Sequence, residues 1–169
     1  MHAVFVNTFY AHNLSGASFA VDKRLRLFLN HNIATTVISA DYYLTNRYYF
    51  HYHFPDLTQH FLDVHDILTD NLDRAETDAW SDFYAKNKSH YKFDMQQKIA
   101  TNENGTCFRW HNYDDGRLML IHHYSSKNQL LRSDEYDWRG YLAVKAYYAS
   151  KPNDGQNYVV RREHLNANQ

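Results

Sequence analysis

Residues 3–39 read AVFVNTFYAHNLSGASFAVDKRLRLFLNHNIATTVIS, and this stretch decides the class of fold. Ala3-Val4-Phe5-Val6 is too short for a helix and β-branched enough for a buried parallel strand. A polar loop follows and ends in Asn13-Leu14-Ser15-Gly16. Ala17, Val21, Leu25 and Phe28 then recur at spacings of three and four, the period of an amphipathic helix. Ser15 fits its N-cap, and Gly16 allows a tight turn into it. His31-Asn32 fits the helix end, and Ala34 to Ile38 is a second β-branched run. Strand, glycine loop, helix and strand make a βαβ unit with parallel strands. The loop after the first strand lies where open α/β sheets bind ligands.

Composition narrows the classes. A chain of 169 residues suits one domain, or one domain and a fragment of another. The net charge of -1 gives no global attraction to nucleic acid or anionic membrane. A single cysteine, Cys107, excludes an internal disulfide framework and fits a reducing compartment. The start lacks a basic n-region, and no apolar run approaches a membrane span. The expected location is cytoplasmic, without a transmembrane segment. Aromatic content of 17%, with fifteen tyrosines, points to β-structure with a half-exposed face.

Beyond Ser39 the signal weakens and then sharpens. Asp41 to Phe54 (DYYLTNRYYFHYHF) is dense in aromatics and reads equally as a short helix or an extended segment. Pro55 interrupts it. Phe61 to Leu68 alternates briefly and can finish in a helical turn. Residues 71–89 read as a connector, with Trp80, Phe83 and Tyr84 on one side of a helical pattern. From Tyr91 on, runs that often alternate are separated about every 12 residues by turn sequences such as Asn102-Glu103-Asn104-Gly105, Asp114-Asp115-Gly116, Ser125-Ser126-Lys127-Asn128, Asp137-Trp138-Arg139-Gly140 and Pro152-Asn153-Asp154-Gly155. That spacing marks an antiparallel meander of hairpins. The fold class is therefore α+β: a βαβ unit in residues 1–70, the connector, and an antiparallel sheet in residues 90–169.

Several residue groups resemble the N-terminal region of a bacterial GT-B glycosyltransferase group. Its members include poly(glycerol-phosphate) α-glucosyltransferases of wall teichoic acid and the glycosyltransferases of serine-rich adhesins. The resemblance rests on Asn13-Leu14-Ser15-Gly16, Lys23-Arg24-Leu25 with Leu27-Phe28, and His31-Asn32-Ile33-Ala34. Val64-His65-Asp66-Ile67-Leu68 and Tyr136-Asp137-Trp138-Arg139-Gly140-Tyr141-Leu142 extend it. It implies a Rossmann-like start and an inserted β-meander, incomplete as a GT-B fold. It also implies a nucleotide-sugar donor near Ser15 and Gly16, and a polymer or protein acceptor. The sheet region would recognise that acceptor, join protomers or hold a glycosyltransferase partner. The family's donor-binding C-terminal domain and its paired glutamates are absent from this sequence. No catalytic residue is therefore assigned here, and the isolated chain is expected to lack transferase activity. The rival expectation is a non-catalytic accessory subunit of a glycosyltransferase complex.

Other groups have plainer readings. Twelve histidines invite a metal reading, through His51, His53, His60, His65, His122 and His123. In a strand His51 and His53 would share a face, whereas His122 and His123 would oppose each other. No zinc spacing is completed, so neither a metal nor a cofactor is expected. Asp114-Asp115-Gly116 reads as a hairpin turn rather than a carboxylate pair. Lys23, Arg24 and Arg26 read as a solvated helix face before a phosphate site. The tyrosine cluster between Tyr42 and Phe54 reads as packing before a stacking platform. Nucleic-acid binding would need a basic face that the charge does not supply.

Overall fold

A computed structural model describes residues 1–7, 16–40, 43–70, 74–150 and 155–166. The chain divides into two compact units, Met1–Asp73 and Arg74–Gln169. Among the described residues each unit is built on one sheet, the first three-stranded and parallel, the second seven-stranded and antiparallel.

In the first unit β1 (His2–Asn7) pairs in parallel with β2 (Ala34–Ser39), and β2 with β3 (Phe61–Asp63). Helix α1 (Gly16–Asn30) joins β1 to β2. It ends as the sequence anticipates. Asn32 takes a φ of 56°, and the amides of Asn32 and Ile33 donate to the carbonyls of Leu29 and Phe28. Those two bonds satisfy carbonyls that the last turn leaves without a helical donor. The aromatic segment resolves as a helix, α2 (Asn46–His53), followed by a 3-10 helix over Pro55–His60. Phe54, with φ at -135°, leaves the helical region as a residue before proline must. Asp63 then caps the short helix α3 (Val64–Leu68).

Both helical connections pack on one face of this sheet. Val21 and Leu25 of α1, Phe50 and Phe54 from the second connection, Val37 and Phe61 form one apolar cluster. The stacked rings of Phe50 and Phe61, 4.3 Å apart, lie in it. The aromatic segment is thus partly packing, with Tyr48 buried but Tyr43 and Tyr52 exposed; Tyr42 lies outside the described residues. The expectation of a buried first strand needs correction. Val4 is 55% and Val6 67% exposed, because β1 is an edge strand and both connections cover the opposite face.

The second unit opens with α4 (Ala79–Asn87), capped by Asp78, whose carboxylate accepts from the Ser81 amide at 3.0 Å. The meander runs in sequence order through β4 (Lys92–Asp94), β5 (Ile99–Asn102), β6 (Gly105–Asn112), β7 (Leu118–Tyr124), β8 (Leu130–Tyr136), β9 (Leu142–Ser150) and β10 (Asn157–His164). Alternation locates most of these strands but not β5, whose four residues Ile99-Ala100-Thr101-Asn102 are too few to show a period. Trp80 of α4 lies against Trp110 of β6 with ring centroids 4.6 Å apart, and Phe83 meets Phe108 edge-on at 5.4 Å. Ala100, Leu118 and Ile121 complete this core.

Three hairpins share one turn. At 113–117, 125–129 and 137–141 the first residue's amide donates to the fifth residue's carbonyl, and the fourth residue's amide donates back to the first. The fourth residues, Gly116, Asn128 and Gly140, all have positive φ. This is the three-residue hairpin loop with a left-handed residue next to a bulge, and each strand pair shifts register beside it. Asp114-Asp115-Gly116 is therefore a turn: Asp115 accepts from the Arg117 amide and pairs with its guanidinium. Asp154 lies outside the described residues.

Candidate functional site

The last residues of the three parallel strands, Asn7, Ser39 and Asp63, are level in the register. They mark the carboxyl edge of the sheet, where open α/β sheets place ligands. A buried polar network gathers there. Asn46, at the start of α2, donates from Nδ2 to Ser39 Oγ at 2.6 Å. Asp63 Oδ1 accepts from the His65 amide at 2.8 Å and so opens α3. Arg47 Nη1 reaches Asp66 Oδ2 at 3.1 Å. Thr69 Oγ1 donates to the His65 carbonyl at 2.8 Å. Ser39, Asn46, Asp63, His65 and Asp66 are all buried. A network that spends buried polar groups at one sheet edge fixes that edge rigidly, since each lost hydrogen bond there costs about 1–3 kcal/mol.

Of the residues singled out from the sequence, Gly16 is the first residue of α1, at the end of the helix that follows β1. Among the described residues a Cβ built there meets nothing within 4 Å, and its φ is not in the left-handed region. Ser15 lies outside the described residues. The sequence marks His65 as a metal candidate and as part of the stretch that carries the family resemblance, whereas it singles out none of Ser39, Asn46 and Asp63 as site residues. For Ser39 and Asp63 the signal is a polar residue closing a strand-like run, Ala34 to Ser39 and Phe61 to Asp63, whereas Asn46 carries no such signal.

The other histidine candidates disperse. His51 and His53 lie on α2 rather than on a strand, two residues apart and so on different helix faces. Among the described residues no three His, Cys, Asp or Glu side chains gather as a metal site. His122 and His123 do point to opposite faces of the meander. His123 Nε2 lies 2.7 Å from Asp134 Oδ2. His122 lies on the other face, level with Arg109, and its ring meets that of His111 edge-on at 5.2 Å. The basic group on α1 is partly spoken for, since Arg26 pairs with Asp22 and Asp56.

Burial lowers the pKa of both His111 and His122 below the ordinary 6.5, helped by the charges of Arg109 and Lys98 on His111, and of His111 and Arg109 on His122. The unfolded chain therefore binds these protons more tightly than the folded one. The stability the neutral pair contributes is complete above the ordinary histidine pKa and is lost as pH falls through it toward the depressed values. Melting followed from pH 7.5 downward is expected to show a falling Tm below about pH 6.5. His122→Gln should flatten that slope. An unchanged slope in the variant would assign the pH dependence to other groups.

No protein-family profile matches this sequence, and no curated protein sequence matches it. Solved structures do. The accessory secretory protein 1, 2 and 3 structure from Streptococcus pneumoniae superposes with a TM-score of 0.74 at 16% identity, over 99% of this chain and 35% of that one. The glycosylation associate protein (Gap123) complex from Streptococcus agalactiae gives 0.72 at 16% identity, over 98% and 34%. The pneumococcal O-GlcNAc transferase GtfA in complex with UDP and GlcNAc gives 0.69 at 17% identity, over 99% and 34%. The chain thus has an α+β fold shared with part of glycosyltransferase structures. It spans about a third of the length of the chains it matches. Among the described residues no helix is long and apolar enough to cross a membrane.

Proposed function

We propose that this chain is the N-terminal part of a glycosyltransferase that moves a hexose from a nucleotide sugar to a cell-envelope polymer of the wall teichoic acid type or to an adhesin. The first unit is read as the opening of a Rossmann-like domain and the meander as its insertion. The observation that carries this reading is the buried polar row at the carboxyl edge of the parallel sheet, in a fold shared with glycosyltransferase structures. Ser15 and Gly16 are read as donor-proximal. A helix N-terminus presents free amides to phosphate, and among the described residues nothing lies within 4 Å of a Cβ built on Gly16, which favours close approach of a ligand to the backbone.

Gly16→Ala separates a donor contact from a mere helix start. The backbone there is compatible with alanine, so the substitution should raise stability by about 0.4–1 kcal/mol in this chain. In the complete enzyme the same methyl group should raise the KM for nucleotide sugar about tenfold, a loss of about 1.4 kcal/mol of binding. A more stable variant with unchanged KM would leave Gly16 as a helix start only. The isolated 169-residue chain is expected to give no sugar transfer from UDP-glucose or UDP-N-acetylglucosamine.

A second reading is favoured by the similarity to the glycosylation associate and accessory secretory protein structures. In it the chain is a non-catalytic subunit whose sheet region holds a glycosyltransferase partner or a second copy. Faster turnover by a co-purifying transferase on adding this chain, with no turnover by the chain itself, would select it.

A further inference from the structure

One face of the meander carries a continuous row of flat and hydrogen-bonding groups running across the strands. The register places Phe108 opposite His123, His123 opposite Arg132, Arg132 opposite Tyr147, and Tyr147 opposite Arg161. Opposed residues share a face, so the row crosses β6 to β10 without a break. At its inner end Tyr91 meets Phe108 edge-on at 4.7 Å, and Phe108 meets His123 at 5.1 Å. At its outer end Arg161 sits 5.5 Å from the centre of the Tyr147 ring. A groove of about 480 Å³ lies over the row, lined among others by Tyr91, Phe108, His123, Arg132 and Tyr147. At about 4.8 Å per strand the row is roughly 19 Å long.

The charges on this row are paired within the protein. Asp134, buried, accepts from His123 at 2.7 Å and holds the Arg132 guanidinium at 2.8 and 2.9 Å. Burial opposes its negative charge, but those two partners keep its pKa below the ordinary value. Glu163 accepts from the Tyr147 hydroxyl at 2.9 Å and pairs with Arg161. Each guanidinium is thus matched by a carboxylate. A polyanion gains little from cations that are already neutralised, because its affinity comes from displacing counterions from free positive charge. A neutral polyol gains more. Its hydroxyls both donate and accept, as the Arg–Asp and Arg–Glu pairs do, and its C–H faces lie well on aromatic rings.

We infer that this row is a binding site for a neutral oligosaccharide, lying across the strands with sugar rings on Tyr147 and on the Phe108–His123 end. The inference goes beyond the function proposed above, whose acceptor is a teichoic-acid-type polymer or an adhesin. It commits the sheet to a glycan rather than to the phosphate groups of a polymer.

The test is titration of the full 169-residue chain with a panel of neutral oligosaccharides, such as maltotetraose and N,N′,N″-triacetylchitotriose, alongside polyphosphate and an oligothymidylate. Saturable binding of a neutral member is expected, nearly independent of salt. Tyr147→Ala should weaken it about tenfold, whereas Tyr147→Phe, which keeps the ring, should stay within about threefold. Thermal melts of both variants establish that they fold. The site is overturned if no neutral oligosaccharide binds at millimolar concentration. It is also overturned if folded Tyr147→Ala binds as tightly as the parent, or if only the anionic polymers bind, with a steep salt dependence. The transferase reading fails separately. Glycan bound on this row with no turnover by any complete assembly removes the enzyme and keeps the site, and turnover with no glycan on the row does the reverse.

Discussion

Asp137→Ala lowers the stability of this chain by about 3–5 kcal/mol, the usual cost of stripping one partner from a buried ion pair. Asp137 and Arg139 are each only 1% exposed. One carboxylate serves two purposes. Its Oδ1 accepts from the amides of Arg139 at 3.0 Å and Tyr141 at 2.9 Å, which closes the β8–β9 turn. Its Oδ2 meets Arg139 Nε at 3.2 Å and Nη2 at 3.1 Å, which neutralises a guanidinium inside the protein. Alanine removes both functions at once. Asp137→Asn keeps an acceptor for the turn and loses the charge, so its loss should be smaller. Asp137→Asn combined with Arg139→Met should recover part of the remaining deficit, because it also removes the buried cation. Urea unfolding of the four proteins gives the comparison through the shift in midpoint at constant slope. A loss below about 1 kcal/mol for Asp137→Ala would mean that the buried charge is solvated some other way.

Gly140→Ala is the second large effect, and Gly116→Ala is its control. Both glycines hold a φ of 91° in equivalent turns. Among the described residues a Cβ on Gly116 meets nothing within 4 Å. A Cβ on Gly140 would lie 2.5 Å from the Thr77 carbonyl oxygen and 2.9 Å from Thr77 Oγ1. The carbonyl is main chain and cannot swing aside, and the Thr77 amide is itself tied to the Arg139 carbonyl at 2.7 Å. Gly116→Ala should therefore cost only the conformational part, about 1–3 kcal/mol. Gly140→Ala should cost that plus overpacking of a further 1–3 kcal/mol or more. Equal losses in the two variants would show that the segment carrying Thr77 yields freely.

Much of this fold was legible because it rests on local pattern. The β-branched runs of β1 and β2, the period of α1, the Asn32 helix end and the hairpin turns are all short-range signals, set by sterics and hydrogen bonds within a few residues. The aromatic stretch before Pro55 resisted such reading, since Tyr and Phe at nearly every position erase both periods; α2 formed because Phe50 and Phe54 bury in one cluster with Val37 and Phe61. Of the candidate site, Gly16 could be located and the carboxyl-edge network could not. Ser39, Asn46, Asp63 and His65 meet only when β2, β3 and their connections are in place.

The amino-acid order thus settled which segments become strands, helices and turns, since those choices depend on near neighbours. Tertiary structure decided which faces are covered and which residues stand level across strands. Val4 and Val6 look like core from their chemistry and are exposed, because both connections of the parallel sheet fall on its other face. Phe108, His123, Arg132, Tyr147 and Arg161 are scattered along the chain. Hairpin register alone brings them into one row, because each bulge beside a turn resets which side chains oppose one another.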